Sequence, residues 1–497
     1  MGEVAACDRP VVSMLEEFHS IGSGSGNGNI PLSGTGVTPA SLNTHWLADT
    51  LAALANRHQV PGAQLAVHHG GATITAEFGE LEHGTEIPVA STTAFPIGSI
   101  TKLATATLAM ILVADGDLEL DAPLAEHLPE LDDLGEQLTL CHLLSHTSGF
   151  AESPDPPKLS KLSLGRYVRE HCRWEDLLLP PGTGFSYSTR NYALVGYLIE
   201  TITGMSWPEA MEAILLRPLG IDLTMVVGSM RTFPRRPVAT GHSVNPILGR
   251  IRPVQQSLAA AEAPAGALAM SAVDLVTLGL MHVGPGFPEL LPVSYAECMR
   301  QAVPGADPFG LADGWGPGLA TFQEGGTGWV GHDGNADGTS CYLRIQPAGG
   351  WVVALTTNAN TGVLLWEELQ AELRRANVPL AARQRDISSR APAICPAEFV
   401  GSYSNGPAEY LVIAGDDGSL CIEAGGDLIA RLAFYDDLNF VIQDPASGQG
   451  QHVGRFLRDP STNQIEHFQI GGRLASRRPV AVPDSRSPIE SLPGVLA

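Results

Sequence analysis

The chain has 497 residues, a length that predicts two domains, and its hydrophobic fraction of 44% is typical of a globular protein. With 53 acidic against 29 basic side chains, its formal charge is −24. Like charges repel, so this balance argues against nucleic acid or an anionic membrane as a partner. No apolar run is long enough to span a membrane, and no basic region followed by an apolar stretch indicates a secretory signal. Seven scattered cysteines without a C-x-x-C pair are typical of reduced thiols, so we predict a cytoplasmic protein.

The first 40 residues are rich in glycine, serine and asparagine, a composition that predicts a flexible extension. The spacing of apolar residues then predicts a helix over 42–58, and "AVHHGGATIT" predicts two strands joined at Gly70-Gly71. A second helix is expected to run to about Ala114, with Gly116 as its C-cap.

The middle of the chain is predicted to be mainly helical, with helices within 138–150, 206–221 and 271–283. Two long buried strands that form a hairpin are expected over 339–358, and an amphipathic helix over 362–378. Strands at both ends of a mainly helical stretch predict an α+β fold, an antiparallel sheet flanked by helices with an inserted helical subdomain. A cleft between such parts is a common place for small-molecule chemistry.

The composition changes near residue 380. Residues 381–396 form a predicted linker, and residues 397–478 contain short apolar segments separated by Asp-Gly, Gly-Gly and Asp-Pro turns. This pattern predicts a small antiparallel β-barrel or sandwich. The predicted organisation is therefore an extension (1–40), a main domain (41–380), the linker, the barrel and a loose proline-rich tail (479–497).

Two short segments carry residues that suit proton transfer. In "FPIGSITKLA", Ser99 precedes Lys102 by three residues, so on a helix the hydroxyl and the amine lie on one face. A desolvated lysine loses its proton readily and can accept the serine proton; the alternative is a helix-capping serine and an exposed lysine. In "PPGTGFSYSTRNY", Tyr187 lies on a loop before a helix, where it either reaches a cleft as a proton shuttle or packs in the interior.

A third segment, "GHDGNADGTSCYLRIQP", places His332, Asp333 and Gly334 at the start of a predicted strand. Glycine here would let a substrate lie against backbone N–H groups that form half of an oxyanion hole. The alternative is a hairpin turn with an incidental histidine. A triad of Ser99, His332 and Asp333 is a poor competitor because adjacent residues of a strand point to opposite faces.

In this order and at these separations, the three segments resemble the serine β-lactamase and penicillin-binding-protein superfamily, in particular its branch of class C β-lactamases, D-aminopeptidases and related esterases. The resemblance runs from Leu42 to Val378 and includes "LTLCHLLSHTSGF" and "APAGALAMSAVDLVTL". Residues 397–475 resemble, more weakly, the lipocalin-like barrel attached to some D-aminopeptidases, esterases and penicillin-binding-protein-type thioesterases.

The resemblance implies a role for each residue of the three segments. Ser99 would be the acylated nucleophile, Lys102 its base or proton relay, and Tyr187 the general base and acid for leaving group and acceptor. The backbone N–H groups of Ser99 and Asn335 would form the oxyanion hole. The opposite wall of the site would be lined by the third segment: His332, Asp333 and Gly334.

One position departs from the family pattern. The second motif is usually Tyr-x-Asn, whose asparagine donates a hydrogen bond to the amide of the acyl group, but this chain has Tyr187-Ser188-Thr189. Because Thr189 is shorter, recognition of a β-lactam or peptide amide is expected to be weaker. Asn191 lies too far along the chain to replace the missing side chain.

The resemblance therefore implies a serine hydrolase or acyltransferase that forms an acyl-enzyme at Ser99 with an ester, thioester or amide, including one that bears a D-amino acid. Because acyl-enzymes react with amines as well as water, a biosynthetic transacylase or peptide cyclase is an alternative. A less favoured one is a non-catalytic binding or sensor protein on the same fold. The expected partner is a small-molecule or peptidyl acyl substrate, free or carrier-bound. No cofactor or metal is implied, and His68 and His69 predict no metal site because they point to opposite faces of a strand.

Overall fold

The structure is a computed structural model and describes residues 42–154, 159, 162–228, 230–232, 236–323, 326, 328–381, 397–415, 419–425, 427–434, 438–443 and 450–478. The predicted extension, the tail and all but the first residue of the predicted linker lie outside these residues.

A seven-stranded antiparallel sheet organises the first part of the chain. Strands from the beginning and the end of this part meet, because β1 (Gly62–His69) pairs with β13 (Trp351–Thr357), where Leu65 lies opposite Leu355. Across the sheet the strands follow the order β2 (Ala72–Gly79), β1 (Gly62–His69), β13 (Trp351–Thr357), β12 (Thr339–Gln346), β11 (Trp329–Ala336), β10 (Ala320–Phe322) and β9 (Gly314–Trp315). The predicted sheet and both of its predicted hairpins are confirmed.

Helices cover both faces of this sheet. On one face α1 (Thr44–Arg57) and α11 (Gly362–Arg375) bury leucines against β1 and β13. On the other face the buried helix α2 (Ile100–Asp115) lies in a larger apolar cluster together with most of the remaining helices. These are α3 (Asp132–Gly135), α4 (Leu140–Leu144), α5 (Leu164–His171), α6 (Thr189–Thr203), α7 (Trp207–Ala210), α8 (Ala263–Gly266), α9 (Ala272–Leu280) and α10 (Val293–Met299).

Short paired strands connect these elements. They are β3 (Phe95–Pro96) with β8 (Ala269–Met270), β4 (Met225–Val227) with β5 (Met230–Thr232), and β6 (His242–Asn245) with β7 (Arg250–Pro253). The predicted caps are present: Gly116 ends α2 with φ +82°, and Ser271 begins α9 in a reciprocal capping arrangement with Asp274.

Two predicted helices are shorter or less regular than expected. Of the predicted segment 138–150 only α4 is helical, because His146 has a left-handed φ of +57° that ends any continuation. Within 206–221, α7 is followed by a π-helix at Met211–Leu216. Apolar spacing alone does not distinguish these conformations from a continuous α-helix.

The C-terminal part is a closed eight-stranded antiparallel barrel, so of the two predicted alternatives the barrel is confirmed. Aromatic side chains pack its interior, with Phe456 stacked 4.3 Å from Phe399. The strands are β14 (Gly401–Asn405), β15 (Ala408–Ala414), β16 (Leu420–Ala424), β17 (Asp427–Phe434), β18 (Asn439–Gln443), β19 (Gly450–Arg458), β20 (Ile465–Ile470) and β21 (Arg473–Arg477).

Within the described residues, no helix has the length and apolar character needed to cross a membrane. The cysteines in this part of the chain are free thiols: Cys141, Cys172, Cys298, Cys341 and Cys421.

Candidate active site

Ser99 lies immediately before α2, and Lys102 lies in the first turn of this helix. The Lys102 ammonium donates hydrogen bonds to Ser99 Oγ at 3.1 Å and to the Ala265 carbonyl at 3.1 Å. Lys102 is only 2% exposed, and Ser99 makes no capping hydrogen bond with its side chain. The expected pairing of hydroxyl and amine is therefore present, whereas a capping serine with an exposed lysine does not describe this helix.

Tyr187 lies beside this pair. The Lys102 ammonium lies 5.1 Å from the centroid of its ring, and the guanidinium carbon of Arg473 lies 5.0 Å from the same centroid. The backbone fixes its position, because Tyr187 N–H donates to the Gly472 carbonyl at 3.0 Å and Ser188 caps the following helix α6. The tyrosine thus faces the pair formed by Ser99 and Lys102, flanked by two cations.

His332 forms the opposite wall, on β11. Its ring contacts Trp315 edge-on at 5.3 Å between centroids and lies 6.3 Å from the Tyr187 ring. Burial and the nearby Lys102 ammonium lower the pKa of His332 to about 4, so the ring is neutral near pH 7. Its Nδ1–H donates to the Asp333 carbonyl at 2.6 Å, and its buried Nε2 has no hydrogen-bond partner among the described residues.

The Asp333 carboxylate binds Arg344 rather than the His332 ring. Its carboxylate accepts two hydrogen bonds from the Arg344 guanidinium, on the neighbouring strand β12. The arginine in turn stacks over Phe322, 4.1 Å from the ring centroid. These contacts agree with the expectation that the two adjacent residues point to opposite faces of the sheet and do not form a triad with Ser99.

The start of α2 packs directly on β11. A Cβ atom at Gly334 would lie 1.9 Å from the carbonyl oxygen of Ile97, and one at Gly98 would lie 2.2 Å from the carbonyl oxygen of Asn335. This close approach brings the backbone of Asn335 next to Ser99. The sequence suggested that glycine at 334 makes room for a substrate. The structure instead explains this glycine by the close packing of the backbone.

The barrel contributes to the same site through Arg473, the first residue of β21. Its Nε donates to the Glu152 carboxylate at 3.2 Å, and that carboxylate also accepts hydrogen bonds from the backbone N–H groups of Ser153 and Thr189. Glu152 N–H donates to the Asn405 side chain of the barrel at 2.7 Å. Glu152 therefore joins the barrel to the first residue of α6, beside Tyr187.

The electrostatics of Glu152 reflect these contacts. Burial on its own would raise the pKa of this carboxyl, but Arg473 and the backbone N–H groups of Ser153 and Thr189 outweigh it and lower the pKa. Glu152 is thus a carboxylate at neutral pH, and it balances the charge of Arg473, whose side chain is only 12% exposed.

Replacing Glu152 with glutamine is expected to destabilise the protein by about 3 kcal/mol, because it removes the buried carboxylate that faces the Arg473 cation. The free energy of unfolding from urea titrations measures this. The double variant Glu152→Gln/Arg473→Gln should recover part of the loss, since it removes both charges. Additive losses in the double variant would show that the two side chains are not coupled.

Thr189 occupies the position of the family asparagine, and its backbone rather than its side chain makes the observed contact to Glu152. Asn191 is fully buried and bonds to Ser148 Oγ and His146 Nδ1, so its side chain is not available as a substitute. This agrees with the expectation that Asn191 does not replace the missing amide.

Sequence reasoning missed His146. Its ring lies 4.3 Å from the Tyr187 ring, and its Nδ1 accepts a hydrogen bond from Ser188 N–H at 3.2 Å. Burial first, then the Lys102 ammonium, lowers its pKa well below the usual value, so the ring is neutral. The residue lies in "SHTSGF", a segment that the family resemblance had singled out without assigning a role to the histidine.

Glu262 is a second buried acid near Lys102. Burial raises the pKa of this carboxyl from 4.5 to about 7; Glu152 adds to the shift, whereas Ser153, Lys102 and Arg190 oppose it. The folded protein keeps a proton that the unfolded chain releases above pH 4.5, so this residue makes stability fall as the pH rises from 4.5 through 7.

We expect Glu262→Gln to raise the free energy of unfolding by up to about 3 kcal/mol at alkaline pH, because glutamine keeps the shape without the charge. Below the unfolded pKa the variant and the parent protein should be equally stable. Urea titrations at both pH values measure the difference. A stability gain of the same size at both would contradict a raised pKa at Glu262.

Comparison with known proteins identifies the family. The Beta-lactamase family profile matches residues 47–375, and the chain belongs to this family. Its members are serine hydrolases and acyltransferases. The predicted resemblance is confirmed.

Penicillin-binding protein 4 of Amycolatopsis lactamdurans is 34% identical over 348 residues, which are 67% of this chain and 89% of that protein. The crystal structure of SurE is similar with a TM-score of 0.78 and 36% identity, over 88% of this chain and 99% of that one; it has also been solved with D-Leu. A D-stereospecific amidohydrolase from Streptomyces sp. is similar with a TM-score of 0.52 and 26% identity, over 66% of this chain and 98% of that one.

Proposed function

We propose that this protein transfers acyl groups through an ester formed on Ser99. The observation that carries the proposal is the Lys102 ammonium, 2% exposed and 3.1 Å from Ser99 Oγ, with Tyr187 beside it. A buried amine next to a hydroxyl at the start of a helix is a costly arrangement that a purely structural role does not require.

In the first half of the proposed reaction, Lys102 first releases a proton to solvent, and the neutral amine then takes the Ser99 proton while Oγ attacks the carbonyl carbon of the donor. The oxyanion accepts hydrogen bonds from the backbone N–H groups of Ser99 and Asn335, which the packing of β11 on α2 brings together. The carbon–heteroatom bond then breaks, and the leaving group takes a proton from the Tyr187 hydroxyl.

In the second half, Tyr187, now a phenolate, takes a proton from water or an amine as this acceptor attacks the acyl carbon. The second oxyanion collapses and expels Ser99 Oγ, which recovers its proton from Lys102. The positive charges of Lys102 and Arg473, each about 5 Å from the Tyr187 ring centroid, stabilise the phenolate between the two halves.

We infer that the donors are esters or thioesters of compounds that contain a D-amino acid. The solved structure of SurE with D-Leu and the D-stereospecific amidohydrolase support this choice. Thr189 argues against penicillins as good donors. Its one short hydroxyl replaces the asparagine amide that donates a hydrogen bond to the acyl group in the family.

Aminolysis is the second candidate, and the barrel supplies the observation that favours it. The turn between β20 and β21 bonds to Tyr187 through Gly472, and Tyr187 is only 6% exposed. We infer that an acceptor reaches Tyr187 past the barrel, an arrangement that would allow selection of an amine over water. In this proposal residues 41–380 form the catalytic domain and residues 397–478 a barrel that limits access to it.

The proposed function is tested with thioesters of D-leucyl and L-leucyl peptides, incubated with and without amines, and products are separated by mass spectrometry. We expect faster turnover of the D-form and an amide product whose share grows with amine concentration. Equal rates for Ser99→Ala and the parent protein would refute the acyl-enzyme. Release of the free acid alone at every amine concentration would leave hydrolysis as the function.

A further inference from the structure

The segment that contains β6 and β7 carries the opposite charge from the rest of the chain. No aspartate or glutamate occurs between Asp222 and Glu262, although 53 of the 497 residues are acidic. The same segment is rich in arginine: Arg231, Arg235, Arg236, Arg250 and Arg252. A strongly acidic protein thus has one continuous stretch of chain whose only formal charges are positive.

The pairing of β6 with β7 divides this hairpin into two faces. Val244 and Ile251 face each other and pack against the apolar cluster that α1 and α11 form with β1 and β13. The other face presents Arg250 and Arg252, both exposed and without an ion-pair partner among the described residues. At the turn, Ile247 and Leu248 are 61% and 60% exposed, so two cations stand beside two apolar side chains.

The two ends of the hairpin are fixed to the turn that follows β11, the strand of His332 and Asn335. His242 N–H, at its start, donates to the Gly338 carbonyl at 2.8 Å, and Ser257 N–H, after its end, donates to the Asp337 carboxylate at 2.6 Å. Gly338 and Asp337 form the turn between β11 and β12, two residues after Asn335. The base of the hairpin therefore lies beside the turn that follows Asn335, one of the two residues of the proposed oxyanion hole.

We propose that the β6–β7 hairpin docks an acidic partner protein that presents an acyl group to Ser99. This inference rests on the proposed function, since it supplies the donor for the same site. An exposed hairpin is convex, whereas small molecules bind in concave sites, so the surface suits a macromolecule. Exposed apolar side chains next to unpaired arginines complement a surface that offers carboxylates around an apolar spot.

Charge distribution favours a protein over an anionic membrane. At physiological ionic strength charges act over about 8 Å, so a compact partner experiences the two arginines rather than the net charge of −24. A membrane is a broad plane that would also approach other parts of a protein whose net charge is −24. Two apolar side chains insert too little surface to compensate, because even a whole acyl chain gives only marginal membrane binding.

The test uses three thioester donors with the same acyl group. Their thiols are a small molecule, a glutamate-rich decapeptide and a glutamine-rich decapeptide. At low salt we expect kcat/KM for the glutamate-rich donor to exceed that for the glutamine-rich donor about tenfold, and salt of about 0.5 M to remove most of the difference. Arg250→Glu/Arg252→Glu should abolish the preference. The matched control Arg166→Glu/Arg169→Glu, with the same change of charge on α5, should keep it.

The small donor separates this inference from the proposed function. If no variant turns it over, acyl transfer itself is refuted; if all variants do so equally, only docking is in question. Equal kcat/KM for the two decapeptide donors then overturns the docking proposal. Binding to phosphatidylglycerol vesicles that Ile247→Ser/Leu248→Ser abolishes, without a preference for the glutamate-rich donor, would assign the hairpin to a membrane and also overturn it.

Discussion

Replacing Lys102 by methionine is expected to lower kcat/KM for a thioester donor by about 10³-fold while the protein remains folded. Methionine has nearly the same length and is apolar, so it fills the space without the amine that lies 3.1 Å from Ser99 Oγ. Because the ammonium is 2% exposed, its removal also relieves a buried charge, and stability should not fall. Steady-state kinetics together with urea titrations measure both effects.

A matched control for this variant is Thr107→Val, another exchange of a buried polar side chain for an apolar one on α2. Thr107 Oγ1 bonds only to the Leu103 carbonyl of the same helix in the described contacts. It should leave kcat/KM within about twofold of the parent value. A similar loss in both variants would mean that the packing of α2, rather than the amine, supports activity.

Tyr187→Phe is expected to lower kcat by about 10²-fold, because it removes the hydroxyl that donates to the leaving group and accepts from the acceptor. The ring stays in place between Lys102 and Arg473, so KM should change little. The matched control is Tyr192→Phe, in the same aromatic cluster, whose hydroxyl donates to the Leu144 carbonyl at 3.1 Å.

Activity with weakly basic and strongly basic leaving thiols distinguishes the roles of Tyr187. If Tyr187 protonates the leaving group, the loss in Tyr187→Phe should be larger for thiols of high pKa than for those of low pKa. A loss that is the same for every donor and also occurs in Tyr192→Phe would contradict a proton-transfer role and indicate a packing role instead.

Local sequence patterns predicted much of the fold. The Gly70-Gly71 turn identified β1 and β2, and long apolar segments identified β12 and β13. Capping residues at helix ends identified Gly116 and Ser271. These patterns did not identify the early end of α4, because the left-handed conformation of His146 is stabilised by contacts with α6, far away in sequence. The π-helix after α7 was missed for a similar reason, since apolar spacing does not report hydrogen-bond register.

Only those residues of the candidate site that lie together in a short sequence motif could be predicted. Ser99 and Lys102 lie one helical turn apart, so their contact follows from helix geometry. Arg473, on the barrel strand β21, lies over the Tyr187 ring although the two residues are 286 positions apart in the chain, and no local pattern in the barrel sequence marks it. The packing reason for Gly334 was likewise invisible, because it depends on how closely α2 approaches β11.

The site combines two parts of the chain. The sheet and α2 supply Ser99 and Lys102, and the barrel supplies the cation on the far side of Tyr187 through the ion pair with Glu152. The proposed chemistry therefore depends on the docking of the barrel. This links the stability change expected for Glu152→Gln to a change in activity, which a separate, passive barrel would not show.

The most direct test of this account is intact-protein mass spectrometry after brief exposure to a D-leucyl thioester, to a fluorophosphonate and to penicillin. We predict a mass increase of one acyl or phosphonyl group for the thioester and the fluorophosphonate, located to the peptide that contains Ser99 and absent from Ser99→Ala. Penicillin should react more slowly because of Thr189. A folded protein that acquires no adduct at Ser99 from any of these reagents would contradict the acyl-enzyme.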